Sequence, residues 1–516
     1  MSPSPSRTGP HARSWLLALG ALGAGATTVL GFAPFSLFPL ALVGLMILNE
    51  VLAEGTPRTG FWRGYAFGAG LLAFGVFWVR ISLNEFGNMD AWVAHLLTAL
   101  FVAFLALYYA LVGWLTRHLQ AGSGWIGPLL LLPGLYVLFE WLRGWVFTGF
   151  PWLNLGDTQI DGPLAGFAPI VGVYGLSLLT ALSGGLLWGL LRWGRRARMG
   201  AMTALAAIWL GGLGLQQVEW TRPLGTPFTA TVVQANIPQA TKWDPRARAA
   251  IMETYVDLTL EHLDSDLILW PETAIPEFLH QVRDLLIEPL GQRARESGTE
   301  IVIGIPVLDL TTERYYNGLV SFGSREDLYT KRHLVPFGEF MPFNAWLGPL
   351  LTIFEVPMSD FSAGTAARPL LHVGERIAGA SICYEDAFPA EAAQALPEAQ
   401  FLVSVSNDAW FGDSLAPHQH LDMARMRALE GGRAMVRATN TGISAIIDWR
   451  GRVVGRIPSF VRETLTAKVQ PRAGTTPFVR LGNWLPIGLA FGMVAVGALI
   501  GRRRQASADG GRAGLS

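Results

Sequence analysis

The sequence predicts a helical membrane domain of about eight spans joined to an extracytoplasmic α/β layered domain. Three observations carry that expectation. Apolar residues make up 51% of the chain and charged residues only 15%, where a soluble domain carries roughly 25% charged. No Asp, Glu, Lys or Arg occurs from Ser14 to Asn49. Across residues 226–470 the pattern changes to short Val- and Ile-rich runs alternating with helix-like stretches, as expected of a sheet covered on both faces. The formal net charge is zero, which gives no reason to expect a nucleic-acid partner.

Residues 1–13 read as a basic N-terminal tail. A spanning helix needs about 20 mostly apolar residues, so 14–49, broken by Pro34 and Pro39, reads as two helices joined at "GFAPF". A cleaved signal peptide is the competing reading of the first helix; its apolar run continues directly into the next span, which counts against cleavage. Further spans are expected at 64–83, 91–116, 122–140, 163–191 and 199–217, completing a seven-helix domain over 14–218. An eighth is expected at 482–501, followed by a basic tail at 502–516. With the N-terminus inside, the cytoplasmic segments collect Arg7, Arg13, Arg58, Arg63, Arg117, Arg192, Arg195, Arg196, Arg198 and "GRRR", against Arg80 and Arg143 opposite. This positive-inside asymmetry puts 226–470 outside the cytoplasm.

Within that insert, "FTATVVQANI" (228–237), "DLILWPET" (266–273), "EIVIGIPVLD" (300–309), "IAGASICY" (377–384) and "AQFLVSVSND" (399–408) read as buried strands. Residues 246–263 and 421–438 read as helices. Glu272, Lys331 and Cys383 follow or end such runs, and ligands of open α/β sheets gather at strand ends. Each also has an ordinary explanation. Cys383, the single cysteine, could be a small buried hydrophobe. Glu272 could favour a helix start, Lys331 could be a solvated loop lysine, and Glu339 could be a loop carboxylate.

Together the residues make a chemical case. A thiol of ordinary pKa near 8.5 is mostly protonated at neutral pH and needs a base or a cation. A carboxylate held out of water can accept its proton. A lysine can stabilise the oxyanion formed when sulfur attacks a carbonyl, and the backbone N–H of Tyr384 could be a second donor.

The order Glu, Lys, Cys, each leaving a strand, resembles the nitrilase superfamily. The surrounding segments resemble its membrane branch, the apolipoprotein N-acyltransferase family. They are "QANIPQATKWD" (234–244), "WPETAIP" (270–276), "KRHLVPFGEFMP" (331–342), "SICYED" (381–386), "SNDAWFG" (406–412) and "RATNTGIS" (437–444). "GFAPF" (31–35) and "WLRGWVFTGFPWLNLG" (141–156) fit in the apolar part. The resemblance implies an α-β-β-α sandwich and a two-step acyl transfer from a phospholipid to the N-terminal diacylglyceryl-cysteine of a lipoprotein. In it Glu272 would be general base, Lys331 oxyanion stabiliser, Cys383 the acylated nucleophile and Glu339 a supporting carboxylate. Tyr384 and Glu385 would shape the pocket, and Trp243 would sit on a loop near its entrance. Separately from the resemblance, Arg143, Trp152 and Trp410 are expected as further substrate-binding positions.

Glu140 and Arg143 lie three apart, on one helix face, so an ion pair between them competes with headgroup contact by Arg143. No cofactor is expected: His418 and His420 in "PHQHLD" lack a third metal ligand. A monomer in the bacterial cytoplasmic membrane is expected. The competing functions are a membrane-tethered amidohydrolase and, outside catalysis, a transporter or scaffold with a degenerate insert. Spans nearly free of ionisable groups count against a transporter.

Overall fold

The structure, a computed structural model, describes residues 10–120, 124–340 and 361–513. Residues 122–123 of one expected span, Met341 and Pro342 of a quoted motif, and the chain ends 1–9 and 514–516 lie outside the described residues. The chain divides into two compact units. One comprises 1–77, 95–218 and 483–516, the other 78–94 with 219–482.

The first unit is helical. Pro10–Val29 packs against Pro57–Gly75 through glycines. A Cβ on Gly25 would lie 2.0 Å from the carbonyl oxygen of Phe67, and one on Gly70 the same distance from that of Leu22. Only bare backbone permits that approach, the usual device for helices that cannot use the hydrophobic effect against lipid. Among the described residues four helices are long and apolar enough to cross a membrane: Ala91–Leu119, Pro163–Arg192, Arg195–Leu215 and Trp484–Arg504. Counting Pro57–Gly75 with Val79–Phe86 as one broken span gives five. Ser14–Val29 and Phe38–Leu52 are apolar but shorter.

The expected span at 64–83 therefore stops at Gly75, and residues from Trp78 onward join the second unit. The expected span at 122–140 carries a π-helical turn at Gly127–Leu131 before Leu132–Arg143. At the other end the helix that starts at Trp484 runs on to Ala513, through most of the stretch read as a tail.

The second unit is a four-layer sandwich. Its strands are β1 (Thr221–Pro223), β2 (Phe228–Gln234), β3 (Leu267–Leu269), β4 (Glu300–Asp309), β5 (Arg314–Phe322), β6 (Asp327–Thr330) and β7 (Leu370–Val373). They continue with β8 (Arg376–Ile382), β9 (Phe401–Ser406), β10 (Met435–Thr439), β11 (Ser444–Ile447), β12 (Val453–Ile457), β13 (Glu463–Val469) and β14 (Arg472–Gly474). One six-stranded sheet has the order β13-β2-β3-β4-β5-β6 and the other β12-β11-β10-β9-β8-β7. Strands β2-β3-β4 are parallel, as are β8-β9-β10, so their C-terminal ends point the same way within each sheet.

Val232, Leu269 and Val302 from the first sheet share one core with Ala380, Val403 and Val436 from the second. Outside the first sheet, Ile268, Trp270 and Ile303 pack with Ile251 and Tyr255 of helix Arg248–Leu260. Outside the second, Ala445 and Ile447 pack with Leu421, Ala424 and Ala428 of helix Ala416–Gly431. Strands buried on both faces are why the sequence shows continuous apolar runs instead of alternation.

The stretch 421–438 corrects a sequence expectation. The helix ends at Gly431, Gly432 takes a left-handed conformation with φ +60°, and Met435–Thr439 is strand β10. A glycine at that position after a helix is an ordinary stop.

Candidate active site

Three strand ends deliver the expected residues. Cys383 follows β8 directly and has φ +55°, a left-handed conformation rare for a residue with a side chain. Lys331 follows β6 directly. Glu272 lies three residues beyond β3, where the chain crosses Gly304 of β4 so closely that a Cβ there would meet the Glu272 Cα at 2.6 Å.

Glu272 and Lys331 are both buried. The Glu272 Oε1 accepts from Asn317 Nδ2 at 2.6 Å and Oε2 from the Asn407 N–H at 2.8 Å. Lys331 Nζ lies 3.6 Å from Glu272 Oε1 and donates to Glu339 Oε1 at 2.8 Å. Glu339 is fixed in turn by the Val335 N–H at 2.8 Å and Asn317 Nδ2 at 3.2 Å. Asn317 thus braces both carboxylates that flank the lysine.

Burial disfavours the Lys331 ammonium, yet Glu339 and Glu272 outweigh it and hold the amine above its ordinary pKa. Burial pushes the Cys383 thiol well up, with Glu272 adding to the effect and Lys331 opposing it. The sulfur interacts electrostatically with both partners. A partly buried thiol, a carboxylate and an ammonium are brought together at the strand ends.

Glu385 works one step back. Its Oε1 accepts from Tyr329 Oη at 2.8 Å and the Arg332 N–H at 2.7 Å, and its Oε2 from the Ile382 N–H at 2.8 Å. It ties the residue before Cys383 to the residue after Lys331. Tyr384 is buried, its ring set edge-on to the stacked His333 and Phe388 rings at centroid distances of 5.7 and 5.1 Å. Trp243 is partly exposed, after the turn Gln239–Lys242. Trp410 packs on Phe86 at 5.3 Å, and its carbonyl accepts from Ser82 Oγ at 2.7 Å.

Lys242, which sequence reading passed over, is buried, and its Nζ reaches the Glu272 carbonyl at 3.4 Å. Burial lowers its pKa to about 8, with Glu272 partly opposing.

Arg143 and Trp152 belong to the helical unit. Arg143 is 1% exposed and donates to the carbonyls of Phe150, at 2.9 Å, and Trp152, and to Asn154 Oδ1 at 3.4 Å. Glu140 accepts the Leu155 N–H at 2.6 Å. Both side chains hydrogen-bond the loop after their helix, and the two charges also act on each other electrostatically. Arg143→Ala would strand buried carbonyls, costing about 3 kcal/mol. The expected result is a lower unfolding temperature and folded yield, with the KM for phospholipid unchanged in the folded fraction. A stable variant with a raised KM would instead indicate headgroup contact.

The α/β unit is a carbon-nitrogen hydrolase type of domain: the family model described as Carbon-nitrogen hydrolase matches residues 229–478. The model described as Apolipoprotein N-acyltransferase N-terminal domain matches residues 24–186. Two curated relatives carry the name Apolipoprotein N-acyltransferase. One from Methylococcus capsulatus is 46% identical, covering 95% of this chain and 97% of its own. One from Nitrosomonas europaea is 44% identical, covering 94% and 98%. Among solved structures, Saccharomyces cerevisiae Nit3, a nitrilase superfamily member, aligns with TM-score 0.36 and 20% identity over 48% of this chain and 92% of its own. The chain belongs to the apolipoprotein N-acyltransferase family.

Proposed function

We propose that this acyltransferase works by ping-pong transfer through a thioester on Cys383. Glu272 takes the thiol proton as sulfur attacks the ester carbonyl of a phospholipid. Lys331, held by Glu339, and the Tyr384 N–H stabilise the oxyanion. Collapse expels the lysophospholipid oxygen, which takes the proton back from Glu272. In the second half the α-amino group of a diacylglyceryl-cysteine attacks the thioester, Glu272 accepts its proton, and the thiol leaves with that proton. The observation that carries this reading is the meeting of Glu272 and Lys331 beside a thiol at the ends of β3, β6 and β8. Trp243 and Trp410 are proposed at the substrate side. For Arg143 and Trp152 the geometry supports shaping a buried loop over direct lipid contact.

Both substrates are lipids. At about 0.8 kcal/mol per CH₂, drawing a sixteen-carbon chain into water costs on the order of 10 kcal/mol. A catalytic domain held at the membrane surface avoids that cost. The apolar helices together with the α/β domain fit a multi-pass protein of the bacterial inner membrane. We keep eight spans, seven before residue 218 and one at 482–501, with 226–470 on the extracytoplasmic side, because the arginine distribution favours it.

The acceptor decides between this reading and a tethered amidohydrolase. Given phospholipid and a diacylglyceryl peptide, the chain is expected to add one acyl group to the peptide and to release lysophospholipid, read by mass. Free fatty acid with an unchanged peptide would favour hydrolysis.

A further inference from the structure

A second buried ionisable cluster lies behind the nucleophile, on the side of helix Ala416–Gly431, and the proposed chemistry does not use it. Asp386, Asp408 and Arg437 are fully buried, and His420 is 1% exposed. Arg437 donates from one terminal nitrogen to Asp386 Oδ2 at 2.7 Å and lies 3.4 Å from Asp408 Oδ2 with the other. His420 Nδ1 lies 2.9 Å from Asp408 Oδ1 and 3.0 Å from Arg437, and Nε2 lies 3.1 Å from the carbonyl oxygen of Cys383. Asp386 Oδ2 is a further 3.7 Å neighbour of Nε2, and Phe411 meets the ring edge-on at 6.2 Å.

A carbonyl oxygen only accepts, so Nε2 carries hydrogen whichever group Nδ1 addresses. Asp408 also accepts from Ser406 Oγ at 2.6 Å. One buried carboxylate is thereby linked through His420 to the carbonyl of the nucleophile. The residue so held has φ +55°, a conformation that persists in a non-glycine residue only where the surroundings enforce it.

We infer that His420 is a positioning residue, which by donating from Nε2 to the Cys383 carbonyl fixes the left-handed turn and keeps the sulfur within reach of Glu272 and Lys331. This rests on the reading of Cys383 as the acyl carrier.

The test follows thioester formation on the full-length chain in detergent micelles holding equal parts phosphatidylethanolamine and phosphatidylglycerol, without acceptor, by intact mass. His420→Gln retains an N–H near the Nε2 position; His420→Asn is too short to reach the carbonyl. Because misplacement of a reacting group by about 1 Å can cost a hundredfold, His420→Asn is expected to slow acylation by roughly 100-fold. The phospholipid concentration giving half-maximal rate should stay unchanged. His420→Gln should stay within about fivefold of the native rate, and such rescue is not expected of a residue that merely fills space.

Equal losses in the two variants, losses that track their unfolding temperatures, or native acylation by His420→Asn would each overturn the assignment. If His420→Asn does not fold, His420→Gln decides alone: near-native acylation supports the role, and a hundredfold loss at an unchanged unfolding temperature contradicts it. If the unaltered chain itself gains no acyl group, the carrier reading fails and this inference falls with it. An acylated native chain beside an unaffected His420→Asn removes only the role of His420.

Discussion

Glu272→Gln is expected to lower thioester formation by roughly 10²- to 10⁴-fold while the chain still folds, since positioned general bases contribute about that much. The size of the effect follows from the sulfur. Burial and the neighbouring carboxylate push the Cys383 thiol up, so in the proposed mechanism the nucleophile forms when Glu272 removes the proton. The amide keeps the shape and one acceptor oxygen but cannot take a proton. Its NH₂ group then faces either the Asn317 amide or the Asn407 N–H, both donors, so about 1–3 kcal/mol of stability is lost as well. The two effects separate by pH. With the base gone the thiol must ionise to solvent, and because its pKa is raised, residual acylation should climb about tenfold per pH unit through neutrality. Near-native acylation with a flat pH profile would place the base elsewhere.

Lys331→Met is expected to damage both stability and rate, for different reasons. The ammonium lies between two carboxylates at 2.8 and 3.6 Å and is fully buried. Removing it leaves uncompensated buried negative charge, which costs about 3–5 kcal/mol when one partner of a buried pair is lost. Loss of the oxyanion donor costs a further factor of roughly 10²–10³ in acylation. The double variant Lys331→Met/Glu339→Gln removes one of the stranded charges. It should recover a large part of the unfolding temperature and none of the acylation rate. Recovery of both would reduce Lys331 to a counter-ion for Glu339.

The parts that were legible in the sequence are those written in periodicity and in the ends of apolar runs. Strands β4 and β9 were found almost residue for residue because both faces are buried, and Cys383 and Lys331 stood out as reactive groups at such ends. The helix-to-strand change within 421–438 was missed although "GG" at 431–432 marks it. Alternating small and apolar residues on either side satisfied a helical reading.

Other misses have a different origin, because a partner identity cannot be read from spacing. Asn317 sits in "YYNGL" like any strand polar residue, and only the fold sets its amide between two carboxylates. Asn407 serves Glu272 through its backbone, which leaves no trace in residue type. Lys242 drew no attention beside Trp243, and His420 was weighed only as a metal ligand. For Glu140 and Arg143 the three-residue spacing placed both on one face, where they interact electrostatically, but it could not show their hydrogen-bond partners in the loop beyond the helix.

The most direct measurement is the intact mass of the chain after exposure to phospholipid with no acceptor present. The account predicts a gain of one fatty acyl group, released by hydroxylamine and absent from Cys383→Ala. An unmodified native chain, in a preparation that still acylates added diacylglyceryl peptide, would contradict a covalent intermediate at this sulfur.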